Sequence, residues 1–203
     1  MNNTRPEICE TEGFSQTACG FVLEFNEVIT TRKLSSNGST NTQGGWSTSE
    51  IRRYMNDDVY NALPSDLKNY VIDTYVVSGK GSLDTNVFET TDKMYAFNVS
   101  EIFGNNESQP FNASEVESES VESFNRTRKI DYYKDVNFIN REYKAIRYYE
   151  PEGKSVNYFT RNPKPSSDIL WTGSSWIGGI ATINVDTEGG IVPVFRIWDG
   201  KSS

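Results

Sequence analysis

Two cysteines, 28 acidic residues, four tryptophans and no histidine are what this 203-residue chain brings to chemistry. Without an imidazole it lacks the usual general base near neutral pH, the commonest metal ligand, and any histidine-activated serine or cysteine. The cysteines, Cys9 and Cys19, both fall in the first tenth of the chain. Only a neighbouring Lys, Arg or helix N-terminus would lower the pKa of either thiol, so neither reads as catalytic. Their spacing suits a disulfide closing a small loop, worth about 2–3 kcal/mol when unstrained. Two unpaired thiols are the other reading, because the redox compartment decides. With 28 acids, chance carboxylate pairs are expected, so a carboxylate-based glycosidase is the minor reading and a protein that is not an enzyme the major one. No cofactor is implied.

The residue types best suited to binding come late. Trp171 and Trp176 flank Thr172, Gly173, Ser174 and Ser175, close in sequence to Arg161 and Asn162. Exposed tryptophan faces stack on sugar rings or peptide side chains, and Ser, Thr and Asn supply adaptable hydrogen bonds. These six residues, Trp171, Trp176, Arg161, Asn162, Ser174 and Ser175, are the candidate ligand contacts. Trp171 fits equally as a core residue of its own strand. Arg52 and Arg161 also suit a structural use, as anchors for loop carbonyls. For metal, the fragment Asn184-Val185-Asp186-Thr187-Glu188-Gly189 begins like a calcium loop, but its later ligand position falls on Phe195, so an ordinary turn is expected and no metal site is assigned.

A net charge of −8 opposes phosphate backbones and anionic lipid heads, which argues against nucleic acid and against direct membrane insertion as partners. No apolar run approaches the length of a membrane span, and the first residues lack a signal-peptide layout. The chain is expected to be the extracellular or cell-surface part of a longer protein whose targeting signal is absent. Apolar residues make up 35% and aromatics 13%, so aromatic side chains carry much of the core.

The elements that must position these residues follow from periodicity. Phe21, Leu23 and Phe25 alternate as one face of a half-buried strand. Residues 35–45 read as loop, and Ser47-Thr48-Ser49-Glu50 as a capping box opening a helix near Thr48. Helical turns continue over 59–63 to Pro64, and a short second helix follows Ser65. Strands are expected over 71–77 and 93–97, a helical turn at 100–104, and a short helix over 143–149. Residues 105–123 are acidic and rich in Ser and Asn, so they bury little. The end alternates strand and turn at 157–160, 169–172, 180–185 and 191–197, with a hairpin loop at 186–190 joining the last two. Pro193 marks the final segment as an edge strand or bulge.

Taken in order, Gly44-Gly45-Trp46-Ser47, Glu50-Ile51-Arg52, Met55-Asn56, Leu63-Pro64, Leu67-Lys68, Thr91-Asp92-Lys93, Ser100-Glu101-Ile102-Phe103-Gly104, the segment 158–163 and Gly190-Ile191-Val192-Pro193-Val194-Phe195-Arg196-Ile197 resemble a bacterial surface-protein domain family of unknown function. That family resembles the C-type-lectin-like fold group, which includes the formylglycine-generating enzymes and retroelement variable proteins. The resemblance implies an α+β domain with two helices packed on a small twisted antiparallel sheet and long irregular loops. It departs at Phe159-Thr160-Arg161-Asn162, where the family pattern reads Trp-Leu-Arg-Ser. The late copper-binding cysteines and iron-binding histidines of enzymatic relatives have no counterpart here. The implied organisation is an N-terminal extension over 1–19 and a single domain over 20–203 with an acidic insertion around 105–128. The implied function is recognition or display, with a glycan or protein partner and a role in adhesion; a spacer module without ligand is the alternative.

Overall fold

The computed structural model describes residues 2–3, 9, 12–34, 41–103, 130–133, 143–164, 167, 170–174 and 178–198. Strand β2 (Gly20–Glu24) runs antiparallel to β12 (Val194–Ile197), and the two-residue β1 (Asn2–Asn3) lies along its other edge. The strand expected over 21–25 is present, but both of its faces are partly covered: Leu23 and Phe25 pack against the core as expected, while Phe21 does not. Val22 is fully buried, the Glu24 side chain is 3% exposed, and Phe21 is 43% exposed. Pairing decides the face: Glu24 lies opposite Val194, which is fully buried, and residues directly opposite share a side of the sheet.

A second sheet has five strands in the order β10 (Ile180–Asn184), β9 (Leu170–Ser174), β8 (Tyr158–Pro163), β11 (Glu188–Ile191) and β3 (Thr30–Lys33). β8 and β11 are parallel; the other neighbours are antiparallel. β10 and β11 therefore do not form the expected hairpin, although a turn does connect them. The segment expected as one strand over 191–197 divides at Val192 and Pro193, and its halves enter different sheets. Proline has no N–H for a ladder, so the chain changes sheet where a bond would be missing. The remaining pairs are β4 (Thr74–Ser78) with β5 (Phe88–Asp92), and β6 (Tyr148–Tyr149) with β7 (Lys154–Ser155).

Residues 50–62 form one helical run: Glu50–Tyr54 is α, Met55–Val59 is π, and Tyr60–Ala62 is α again. Its N-cap is Ser49, whose Oγ accepts from Arg52 N at 3.2 Å; Ser47, first residue of the expected capping box, instead donates to Gly44 O. A separate turn, Gly45–Thr48, precedes it, made possible by consecutive positive φ at Gly44 and Gly45. Elsewhere the described helices are short, including Ser65–Lys68 where the second helix was expected.

Among the described residues the chain is thus mostly β, with four sheets. The expected α+β, C-type-lectin-like arrangement of two helices on one small antiparallel sheet is overturned. The sequence around 65–70 has room for one turn between Pro64 and the bridge at Val71, too little for a second packing helix. The strand expected over 93–97 reduces to one bridge, Tyr95 to Val194, and β5 forms just before it. Residues 143–149 divide into a 3-10 turn, Tyr143–Ala145, and β6 rather than a single helix. One core spans these pieces, with Val22, Trp46, Ile51, Met55, Tyr95, Ile102, Tyr133, Trp171 and Val194 among its most buried side chains. Cys9 and Cys19 form a disulfide with Cα atoms 5.8 Å apart, and the adjoining Phe14, Thr17 and Ala18 are buried. The acidic stretch over 105–128 lies outside the described residues.

Candidate functional site

The residues singled out as ligand contacts mostly face inward. Trp171 is 1% exposed, and its Nε1 donates to Thr160 O at 2.6 Å within the five-stranded sheet. Arg161 is fully buried: Nη1 donates to Glu101 Oε2 at 2.5 Å, Nη2 to Glu101 Oε1 at 3.1 Å, and Nε to Val77 O at 3.0 Å. Asn162 and Ser174 are buried as well, and Ser174 Oγ donates to Ala145 O. These four therefore sit in the core, away from the surface. Arg161 and Asn162 lie on β8, all six of whose residues are buried, and Trp171 and Ser174 lie on its neighbour β9, with other parts of the core packed over both strands. Trp176 and Ser175 lie outside the described residues.

Polar groups converge instead at two other places. The first is a groove of about 450 Å³ along the 50–62 helix, lined by Arg52, Arg53, Asn56, Asp57 and Tyr60 on one side and Asp73, Thr91, Asp92 and Lys93 on the other. Asp92 is its anchor, with a fully buried side chain. Its carboxylate accepts from Trp46 Nε1 at 2.9 Å, Thr90 Oγ1 at 2.8 Å and Arg52 Nε at 2.7 Å. Arg52 Nη1 donates to Ser47 O, so two edges of the guanidinium are held while the side chain stays 28% exposed. Asn56 clamps the helix to the opposite wall: Nδ2 donates to Met94 O and Arg52 O, and Oδ1 accepts from Lys93 N and Met94 N. A side chain engaging one of the helix's own carbonyls, Arg52 O, accompanies the π turn here, and π turns are frequent at functional sites. Lys93 Nζ pairs with Asp73 at 2.9 Å, and Arg53 with Glu50.

The second place is a cleft of about 230 Å³ beside β2, lined by Val22, Leu23, Glu24, Phe25, Asn26, Tyr132 and Arg147. Glu24 Oε2 accepts from Tyr133 Oη at 2.5 Å and Arg147 Nη2 at 2.7 Å, and Arg147 Nη2 also bonds the Tyr133 hydroxyl. Arg147 Nη1 donates to Lys144 O at 2.6 Å and Ile146 O at 3.1 Å. Arg147 Nε is buried and meets no acceptor among the described residues. Burial pushes the Glu24 carboxyl above its ordinary pKa, against the opposing pull of Arg147 and the Tyr133 hydrogen bond. Among the described residues no three His, Cys, Asp or Glu side chains come together as metal ligands.

The family model for a domain of unknown function, DUF6273, matches residues 24–198. The chain belongs to the DUF6273 family. No curated protein matches the chain, and no solved structure does. The matched region of this DUF6273 domain contains the whole groove and all of the cleft's lining except Val22 and Leu23. Of their residues, Arg52 was recognisable from the sequence as an anchor, whereas the roles of Asp92, Glu24 and Arg147 emerge only in the fold. Asp92 and Lys93 had a signal, a polar pair directly after a β-rich stretch. Glu24 had none, because an acid at the end of an alternating strand reads as solvent-facing.

Proposed function

We propose that this DUF6273 domain is a non-catalytic recognition domain, extracellular or on a bacterial cell surface, that binds glycan through the helix groove. One observation carries the reading: the groove is polar and charge-balanced around a guanidinium already fixed in place. Its lining sets three cations, Arg52, Arg53 and Lys93, against three carboxylates, Asp57, Asp73 and Asp92. A balanced lining favours an uncharged ligand whose groups both donate and accept, and a sugar hydroxyl does both. Fixing Arg52 through buried Asp92 spares the side-chain ordering cost on binding. The Cys9–Cys19 bridge supports an oxidising compartment. It also leaves these two sulfurs without a thiolate, in a chain that has no histidine.

Screening the purified domain on glycan and protein arrays tests this. The Asp57→Ala, Lys93→Ala double variant should lose binding by about tenfold, the equivalent of one or two hydrogen bonds. Binding unchanged in that variant but lost in Trp176→Ala would return the site to the late loops. No ligand in any screen would favour the spacer role. Glycoside hydrolysis has one observation in its favour, the upward-shifted Glu24 carboxyl in a cleft. Its lining holds a single carboxylate, where such hydrolysis ordinarily uses two. Turnover abolished by Glu24→Gln would establish that reading.

A further inference from the structure

The cleft beside β2 differs in kind from the helix groove. Its lining combines apolar side chains, Val22, Leu23, Phe25 and the ring of Tyr132, with polar ones in comparable measure, Asn26 and the Glu24–Arg147 pair. Such a lining suits a small molecule that polar groups orient and apolar contact helps to hold. The polar groups are also incompletely used. Arg147 has a 4% exposed side chain, yet its Nε donor has no acceptor among the described residues. Both described bonds to Glu24 end on Oε2, leaving Oε1 as an acceptor. An unsatisfied buried donor costs about 1–3 kcal/mol, so a group that supplied an acceptor to Arg147 would be favoured by a similar amount.

One donor and one acceptor beside apolar side chains match a secondary amide that ends in a small apolar group. We propose that this cleft is a second binding site, independent of the helix groove, that takes the acetamido group of an N-acetylated amino sugar. The amide N–H donates to Glu24 Oε1. The carbonyl oxygen accepts from Arg147 once the guanidinium tilts toward the cleft it lines. The methyl packs against Phe25 and Tyr132. Arg147 and Glu24 neutralise each other at 2.7 Å, which favours an uncharged group over a carboxylate or an ammonium. The volume, about 230 Å³, corresponds to several waters and suits a compact group. At the rim, Tyr132 is 43% exposed and Asn26 is exposed, offering a ring face and an amide to a pyranose. An acetylated lysine would leave both unused.

The test is an amide NMR titration of the full chain with N-acetylglucosamine, with glucose and N-acetyl-lysine methylamide as comparison ligands. N-acetylglucosamine should shift the resonances of residues 22–26, Tyr132 and Arg147, and glucose should not shift them. Tyr132→Ala, at an exposed position, should weaken the sugar about three- to tenfold, the loss of one ring contact. The groove variant Asp57→Ala, Lys93→Ala should leave this titration unchanged, which separates failure of this site from failure of the groove. Absence of the shifts, an equal response to glucose, tighter binding of the acetylated lysine, or unaltered affinity in Tyr132→Ala would each overturn the proposal.

Discussion

Glu101 and Arg161 show what a single charged residue does in this molecule. Both side chains are fully buried, and Glu101 also accepts from Thr17 Oγ1 and from Asn98 N at 2.9 Å. Arg161 in turn holds the carbonyls of Val77 and Ala96, so the pair ties β8 to β4 and to the 96–101 segment. Neutralising one partner leaves the other as an unpaired buried charge, which costs far more than the pair itself contributes. Glu101→Gln should therefore destabilise the domain by about 3–5 kcal/mol in chemical denaturation. Arg53→Ala, which removes an exposed ion pair, should leave the midpoint where it is. If Glu101→Gln unfolds at the wild-type midpoint, the ion pair does not anchor the core.

The 50–62 helix is the element on which the proposed groove depends. Its start is set by Ser49 Oγ on Arg52 N, and its fixed attachment to the far wall by Asn56. Ser49→Ala should cost about 1 kcal/mol, whereas Ser49→Gly should cost only a few tenths, because glycine is itself an acceptable N-cap. Thermal melts of the two variants compare them directly. Equal losses would mean that the serine acts through packing, since it is also buried. The cap was close to legible in the sequence: the Ser-x-Ser-Glu run is visible, and the structure moves the capping role two residues, from Ser47 to Ser49. The strands were less so. β3 is Thr-Thr-Arg-Lys, with no apolar alternation, and it exists because β11 pairs along it.

At the scale of the whole molecule, one core buries Tyr95, Tyr133 and Tyr158 together with their hydroxyls. Burial raises all three phenols, Tyr95 and Tyr133 well above 10 and Tyr158 to about 12. The folded state consequently holds protons that the unfolded chain releases near pH 10. Their contribution to stability is complete below about pH 10 and falls as pH rises further, that of Tyr158 being lost through about 12. Phenolate absorbance should therefore climb in two steps, the second coinciding with loss of near-UV circular dichroism. A single step with the fold intact would mean that these rings are reachable by solvent.

Residue types determined the chemistry this protein lacks: with no histidine and two early cysteines, the imidazole-based mechanisms were closed before any folding was considered. Local pattern determined the 50–62 helix, its stop before Pro64 and several of the strands, because caps, prolines and alternation act within a few residues. Tertiary structure decided which face of β2 turns inward, and so whether Glu24 is solvated or part of a buried cluster. A period of two establishes that the faces differ, and only the partner strand selects between them. It also decided that Arg161 and Trp171 belong to the core, since distant segments, among them β4 and the 96–101 stretch, pack over β8 and β9. Glu24 meets Tyr133 across 109 positions and Arg147 across 123. At such separations, pairing is a property of the assembled sheets.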